Sequence, residues 1–464
     1  MKKRLSIVFC ILVFLIVVPG CQSQDPKLQD SPSLSPQRTE ELHKLALTFT
    51  EYVSSGDIDA AMAMMDETMT SAIDGKLGET WAQLIESSGS FIETQSYIGV
   101  PADAYEALEM TLVFEDAKMI QRVVFNKDNQ ISGLFYRNGE VAPLSSATLP
   151  KNVQESEVTV DAGEGYPLSG RLTMPKNSTP SAAIVLVHGS GPSDMNETIG
   201  ANTPFQDLSY SLAEKGIAVL RYDKRSYTYQ DELAKDTDSI TLEDEVIADA
   251  RAAVEVLRSN EEINPNSIYL AGHSMSGGLL SYINSDKQQC AGYIIMAGTP
   301  RNLWELIAEQ NLLLADEEDQ SGNHKSAEEI LSIVEQETLK GNNLSELKSD
   351  ETVFGVQAAY LQEFDKIDAL ALHTRDKLPV LVLQGEKDRQ VYLSDFELWK
   401  EGLAQHPSST FISYPTLNHL FGEYLGQPVP FSQMISIEYA QRTPVSDDVI
   451  HDISSWIDNL SQRD

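Results

Sequence analysis

Between residues 183 and 460 short apolar runs alternate with helical patterns, and this alternation constrains the fold more than any other feature of the chain. The runs at 183–187, 217–222, 267–271, 292–297, 380–384 and 410–414 have strand length. Helical patterns fall between and after them, at 205–215, 242–258, 275–284, 393–403 and 447–460. Strands that are largely apolar on both sides and separated by amphipathic helices predict a parallel sheet with helices on both faces. Segments 157–160 and 168–174 add a hairpin ahead of the first run, and 299–377 interrupts the alternation with charged, helical, strand-free sequence. That stretch reads as an insertion over the C-terminal edge of the sheet.

A smaller α+β unit is expected at 38–145. Leu42, Leu45, Ala46 and Phe49 recur at helical spacing, Ser55-Gly56-Asp57 ends one helix and caps another over 60–69, and a third surrounds Trp81. From Phe91 the period becomes that of strands, at 91–100, 106–115, 119–126 and 131–136. Trp81 and Phe91 read as core, and His43 as a solvated residue on the polar side of its helix. Residues Gly56-Asp57, Trp81, Gly89-Ser90-Phe91, Phe114-Glu115 and Ile131-Ser132-Gly133-Leu134 make this unit similar to NTF2-like domains of unassigned function in exported bacterial proteins.

The first 20 residues read as a signal peptide. Lys2, Lys3 and Arg4 precede an apolar run from Leu5 to Val18, which at 14 residues is shorter than the roughly 20 that span a bilayer. Val18-Pro19-Gly20-Cys21 resembles a bacterial lipobox, which implies lipidation of Cys21 and leaves Cys290 without a disulfide partner. The only membrane contact expected is this anchor, followed by a polar tether over 21–37; a freely secreted protein is the alternative. A net charge of −36 excludes a nucleic-acid binder that works by neutralising phosphates, and 41% hydrophobic residues exclude a wholly disordered acidic chain.

Chemistry is carried by three strand ends. The run 267–271 leads into Gly272-His273-Ser274-Met275-Ser276 and then a helical pattern, the setting of a nucleophile elbow, with Ser276 where glycine is usual. A serine needs a base, and the base needs an orienting acid. Asp388 follows the run 380–384 and His419 follows 410–414, so Ser274, Asp388 and His419 stand in the chain order of such a triad. The backbone N–H of Met275 and that of Ser190, in His188-Gly189-Ser190-Gly191-Pro192, are the expected oxyanion donors. Glu386 and Asp395 are alternative acids, and His188 and His273 alternative bases. Asp223 reads as structural, and Lys224, Arg225, Tyr227 and Tyr229 as a pocket mouth or a solvated loop. His324, His373, His406 and His451 read as exposed. No metal-ligand spacing occurs, so neither metal nor cofactor is expected.

With Leu220-Arg221-Tyr222-Asp223-Lys224-Arg225, Gln384-Gly385-Glu386-Lys387-Asp388 and Asn418-His419 added, residues 152–464 resemble the α/β-hydrolase superfamily, near its dienelactone-hydrolase and prolyl-oligopeptidase groups. The resemblance implies a serine hydrolase that cleaves small carboxylic esters through an acyl-enzyme. Peptidase or thioesterase chemistry on the same fold, and a non-catalytic surface binding protein, are the alternatives.

Overall fold

The computed structural model describes residues 36–138 and 149–461, apart from 74–75, 103–104, 116, 164, 201, 234–239, 286–288, 427–428, 435–437 and 440–441. The expected signal segment, Cys21 and nearly all of the tether lie outside the described residues. No helix among them is long and apolar enough to cross a membrane. They divide into two compact units, on either side of residue 147.

In the first unit four helices, Pro36–Ser55, Ile58–Met62, Glu67–Ile73 and Leu77–Ser88, precede an antiparallel sheet. Its strands, β1 (Phe91–Ala102), β2 (Tyr105–Phe114), β3 (Lys118–Phe125) and β4 (Ile131–Asn138), pair in sequence order. Leu42, Ala46, Phe49 and Val53 line one face of the first helix and share a core with Leu108, Met110 and Leu112 of β2. Trp81 is buried there, its ring centroid 5.6 Å from that of Phe91 and 5.7 Å from that of Phe114. The single helix expected over 60–69 is broken. Asp66 accepts the Met69 N–H at 2.8 Å and so starts a new helix, while its own N–H is drawn to the Ile131 carbonyl at 2.9 Å. His43 is half-buried rather than solvated.

The second unit is built on eight strands: β5 (Val153–Val160), β6 (Leu168–Pro175), β7 (Ala182–Val187), β8 (Ile217–Tyr222), β9 (Ile268–His273), β10 (Gly292–Met296), β13 (Val380–Gly385) and β14 (Ser409–Tyr414). Their spatial order is β14-β13-β10-β9-β7-β8-β6-β5, antiparallel only at β5–β6 and β6–β8. Along β7 Ala183, Val185 and Val187 enter one core while Ala182, Ile184 and Leu186 enter the other. Period-two side chains buried on both sides are why this run is continuously apolar, each large aliphatic contributing about 1.5–3 kcal/mol by its burial. This is the α/β-hydrolase arrangement implied by the motifs.

The insertion holds helices Leu303–Gln320, His324–Asn342, Ala358–Asp365 and Ala369–Asp376. It also holds a small ladder that the strand-free expectation lacked, β11 (Thr352–Val353) against β12 (Val356–Gln357). The helix expected over 242–258 begins as a π turn, Glu243–Ile247, before its α-helical part Ala248–Arg258. Such turns often mark functional positions, and this one carries Glu245.

Candidate active site

Strand β9 ends at His273, and Ser274 follows with φ +56°, a left-handed conformation that costs a non-glycine residue about 1–2 kcal/mol. The chain then tightens into a 3₁₀ turn, Ser274–Gly278, before helix Leu280–Asn284. Close approach dictates the small residues. A Cβ on Gly272 would lie 2.7 Å from the Ser276 carbonyl oxygen, and one on Gly277 2.8 Å from the Gly298 Cα. Ser276 itself is fully buried, and its hydroxyl donates to the His188 carbonyl at the end of β7. The departure from glycine at 276 thus joins the elbow to the neighbouring strand. Ser274 alone within residues 270–280 is not fully buried.

Past β13 and β14 lie Asp388 and His419. His419 Nδ1 stands 2.7 Å from Asp388 Oδ2, which also accepts from Gln384 Nε2 at 3.1 Å. The other Asp388 oxygen takes the N–H groups of Gln390 at 2.8 Å and Val391 at 3.0 Å. Four donors on one carboxylate fix its plane, and through it the imidazole. The His419 ring lies 4.5 Å, centroid to centroid, from that of His273, the residue before Ser274. The alternative acids are engaged elsewhere. Asp395 binds the insertion, accepting from Thr299 Oγ1 at 2.6 Å and from Arg301 at 2.7 and 2.8 Å. Glu386 is exposed and accepts from Ser413.

The loop after β7 lies against Ser274: a Cβ on Gly189 would be 3.1 Å from that of Ser274. Polar side chains grip this loop from two sides. The Gly189 N–H donates to Glu197 Oε1 at 2.8 Å, while Lys224 Nζ donates to the carbonyls of Gly189 at 2.8 Å and Gly191 at 3.0 Å. With the Gly189 amide engaged, Ser190 supplies the next N–H along the loop, and Ser190 is half-exposed. Lys224 is neither at a pocket mouth nor solvated, as the sequence suggested, but 2% exposed and 3.0 Å from Glu245. Tyr360, from the insertion, donates to Glu245 at 2.8 Å and stands 3.6 Å from Met275 Sδ. Arg225 is likewise buried, paired with Asp249 at 2.7 Å, and Asp223 accepts the Met195 N–H.

Neither rival histidine is free to act as base. Burial pushes His188 down to about 4, and its Nε2 binds the Asp194 carbonyl at 3.0 Å. His273 Nε2 donates to the His419 carbonyl at 2.9 Å. His373 and His406, expected exposed, are buried; helical and loop sequence gives no periodic sign that a lone histidine faces inward. Glu197, Glu245 and Tyr360 were not singled out by the sequence at all, because isolated polar residues carry no motif or period. Among the described residues no group of three or more His, Cys, Asp or Glu side chains could hold a metal ion.

Residues 178–422, more than half the chain, match the family described as "Serine aminopeptidase, S33". The chain belongs to this hydrolase family. Its N-terminal residues 46–134 match "Protein of unknown function (DUF3887)". Over 415 residues, 89% of this chain and 94% of the relative, the S33-family protein is 30% identical to "Esterase EstD" of Thermotoga maritima. Among solved structures it is similar to Est1E from Butyrivibrio proteoclasticus, at 16% identity over 66% of this chain and 98% of that one, with a TM-score of 0.41. A dienelactone hydrolase from Anabaena variabilis is similar at 16% identity over 66% of this chain and 98% of that one, with a TM-score of 0.38.

Proposed function

We propose that this S33-family protein is a carboxylesterase that uses Ser274 as nucleophile, His419 as base and then acid, and Asp388 to hold the imidazole. The observation that carries the reading is Ser274 itself: a left-handed, partly exposed serine at a strand end, beside a clamped glycine loop and next in sequence to His273, whose ring packs on that of His419, the partner of Asp388. Ser274 Oγ attacks the ester carbonyl as His419 takes its proton. The carbonyl electrons move onto oxygen, and the N–H groups of Met275 and Ser190 donate hydrogen bonds to that oxyanion, each such donor worth about 3–4 kcal/mol. Collapse expels the alcohol, which leaves with the proton from His419, and water repeats the sequence to free the acid. The full-length relative named an esterase favours ester over amide substrates.

Fluorophosphonate labelling and turnover of short-chain p-nitrophenyl esters test this together. One adduct and steady turnover in the native protein, both lost in Ser274→Ala, are expected; labelling that persists in the variant refutes the assignment. The family description favours a second reading, an aminopeptidase, and amino-acid p-nitroanilides cleaved faster than esters would establish it. The basic start, the apolar run Leu5 to Val18 and Cys21 support export and lipid anchoring at the outer face of a bacterial membrane. Release of Cys21→Ala from the membrane fraction of expressing cells is the corresponding test.

A further inference from the structure

Glu197 takes no part in the chemistry above, yet it lies at the junction of the parts that do. Its backbone has φ +51°, left-handed and strained for a non-glycine residue, and it is 3% exposed. One oxygen, Oε1, holds the Gly189 N–H at 2.8 Å. The other, Oε2, lies 2.9 Å from His273 Nδ1, close enough for an ion pair though off the line of a hydrogen bond. His273 Nε2 in turn donates to the main-chain carbonyl of His419 at 2.9 Å. Burial opposes charge on both groups, but each favours the charged form of the other. Glu197 is drawn below the ordinary glutamate value by His273 and the Gly189 amide, and His273 is raised above the ordinary histidine value by Glu197.

We propose that Glu197 is a positioning residue for ester cleavage, joining the oxyanion loop through Gly189 to the loop of the base through His273, so that donor and base keep one relative geometry. The proposal rests on the reading of Ser274 as nucleophile. Oxyanion donors act only within about 2.7–3.1 Å of the developing charge, so a small rotation of the Gly189 peptide moves the Ser190 N–H out of range. Lys224 holds the carbonyl side of the same loop, whereas Glu197 reaches, through His273, the segment that carries His419.

The test compares kcat and KM for p-nitrophenyl butyrate in the native full chain, Glu197→Ala, Glu197→Gln and Ser274→Ala. For the native chain and the Glu197 variants kcat is taken per site that fluorophosphonate labels, for Ser274→Ala per mole of protein, with melting temperatures alongside. Glu197→Ala is expected to lower kcat about 100-fold with KM nearly unchanged, the signature of an interaction made in the transition state. Glu197→Gln, whose amide oxygen still accepts from Gly189, is expected to recover about tenfold of that loss. A purely structural role would lower the melting temperature and leave kcat per labelled site intact. A kcat within about threefold of native in Glu197→Ala overturns the proposal. Should that variant not fold, His273→Gln decides by the same limit. If Ser274→Ala still turns over ester, the nucleophile reading itself fails; if it is inactive while Glu197→Ala is normal, only the positioning role falls.

Discussion

Two buried histidines of the second unit, His273 and His373, sit near carboxylates and behave in opposite ways. His273 stands 2.9 Å from Glu197, whose charge outweighs burial and raises its pKa. His373 is one turn from Asp376, but that carboxylate binds Ser281 Oγ at 2.6 Å, the Tyr293 hydroxyl at 2.7 Å and the Leu378 N–H at 3.2 Å. Neither ring nitrogen of His373 has a hydrogen-bond partner among the described residues, and burial pushes it down to about 4. Its ring packs against Tyr293 and Trp399, at 4.8 and 5.5 Å between centroids. Burial alone therefore does not set a histidine's state; the free lone pairs of the adjacent carboxylate do. His273 is held in an ion pair, and His373 fills space.

Replacing the strained Ser274 separates the two most sharply. Ser274→Gly is expected to lower ester turnover by about 10⁴-fold or more while raising stability by about 1 kcal/mol, because glycine accepts the left-handed backbone without strain. A variant that is inactive but no more stable would show that the elbow stores no strain. Lys224→Met comes next. Loss of the grip on Gly189 and Gly191 is expected to cost about 100-fold in kcat, and leaving Glu245 buried without its cation about 3 kcal/mol in denaturant unfolding.

At the packing site, His373→Phe is expected to leave kcat unchanged and to alter only the response to acid. A folded-state pKa near 4 against an unfolded value of 6.5 means that the unfolded chain binds the extra proton, so stability falls as pH drops through that window. The native protein is expected to lose about 1–2 kcal/mol to this group by pH 5, and His373→Phe to lose that much less. An unchanged slope of melting temperature against pH would place the acid sensitivity elsewhere, His188 being next. The Glu197–His273 pair has the opposite sign in its histidine, whose contribution is present at low pH and lost as pH rises through its raised value. Ser276→Ala, which removes the hydroxyl that reaches His188, is expected to cost about 1 kcal/mol of stability and less than tenfold in kcat.

The sheet was legible because each central strand buries both faces and must be apolar throughout. The placement of Ser274, Asp388 and His419 just past successive strands was legible because it depends on residue type at strand ends, which chain order exposes. Asp66 was not, since its role as a cap depends on where β4 draws the chain. Lys224 and Arg225 looked solvated because a cation's partner can lie anywhere in the chain: Glu245 and Asp249 reach them from a helix that the loop meets only after folding.

Hydrophobic periodicity and local turn chemistry are short-range properties, and they determined the strands, the helices, the elbow and the order of the reacting groups. The grip of Glu197 and Lys224 on the oxyanion loop, and the opposite states of His273 and His373, were decided only in the tertiary structure. Hydrogen bonds and desolvation act between residues that the fold brings together, and no spacing along the chain records which carboxylate ends with a lone pair to offer.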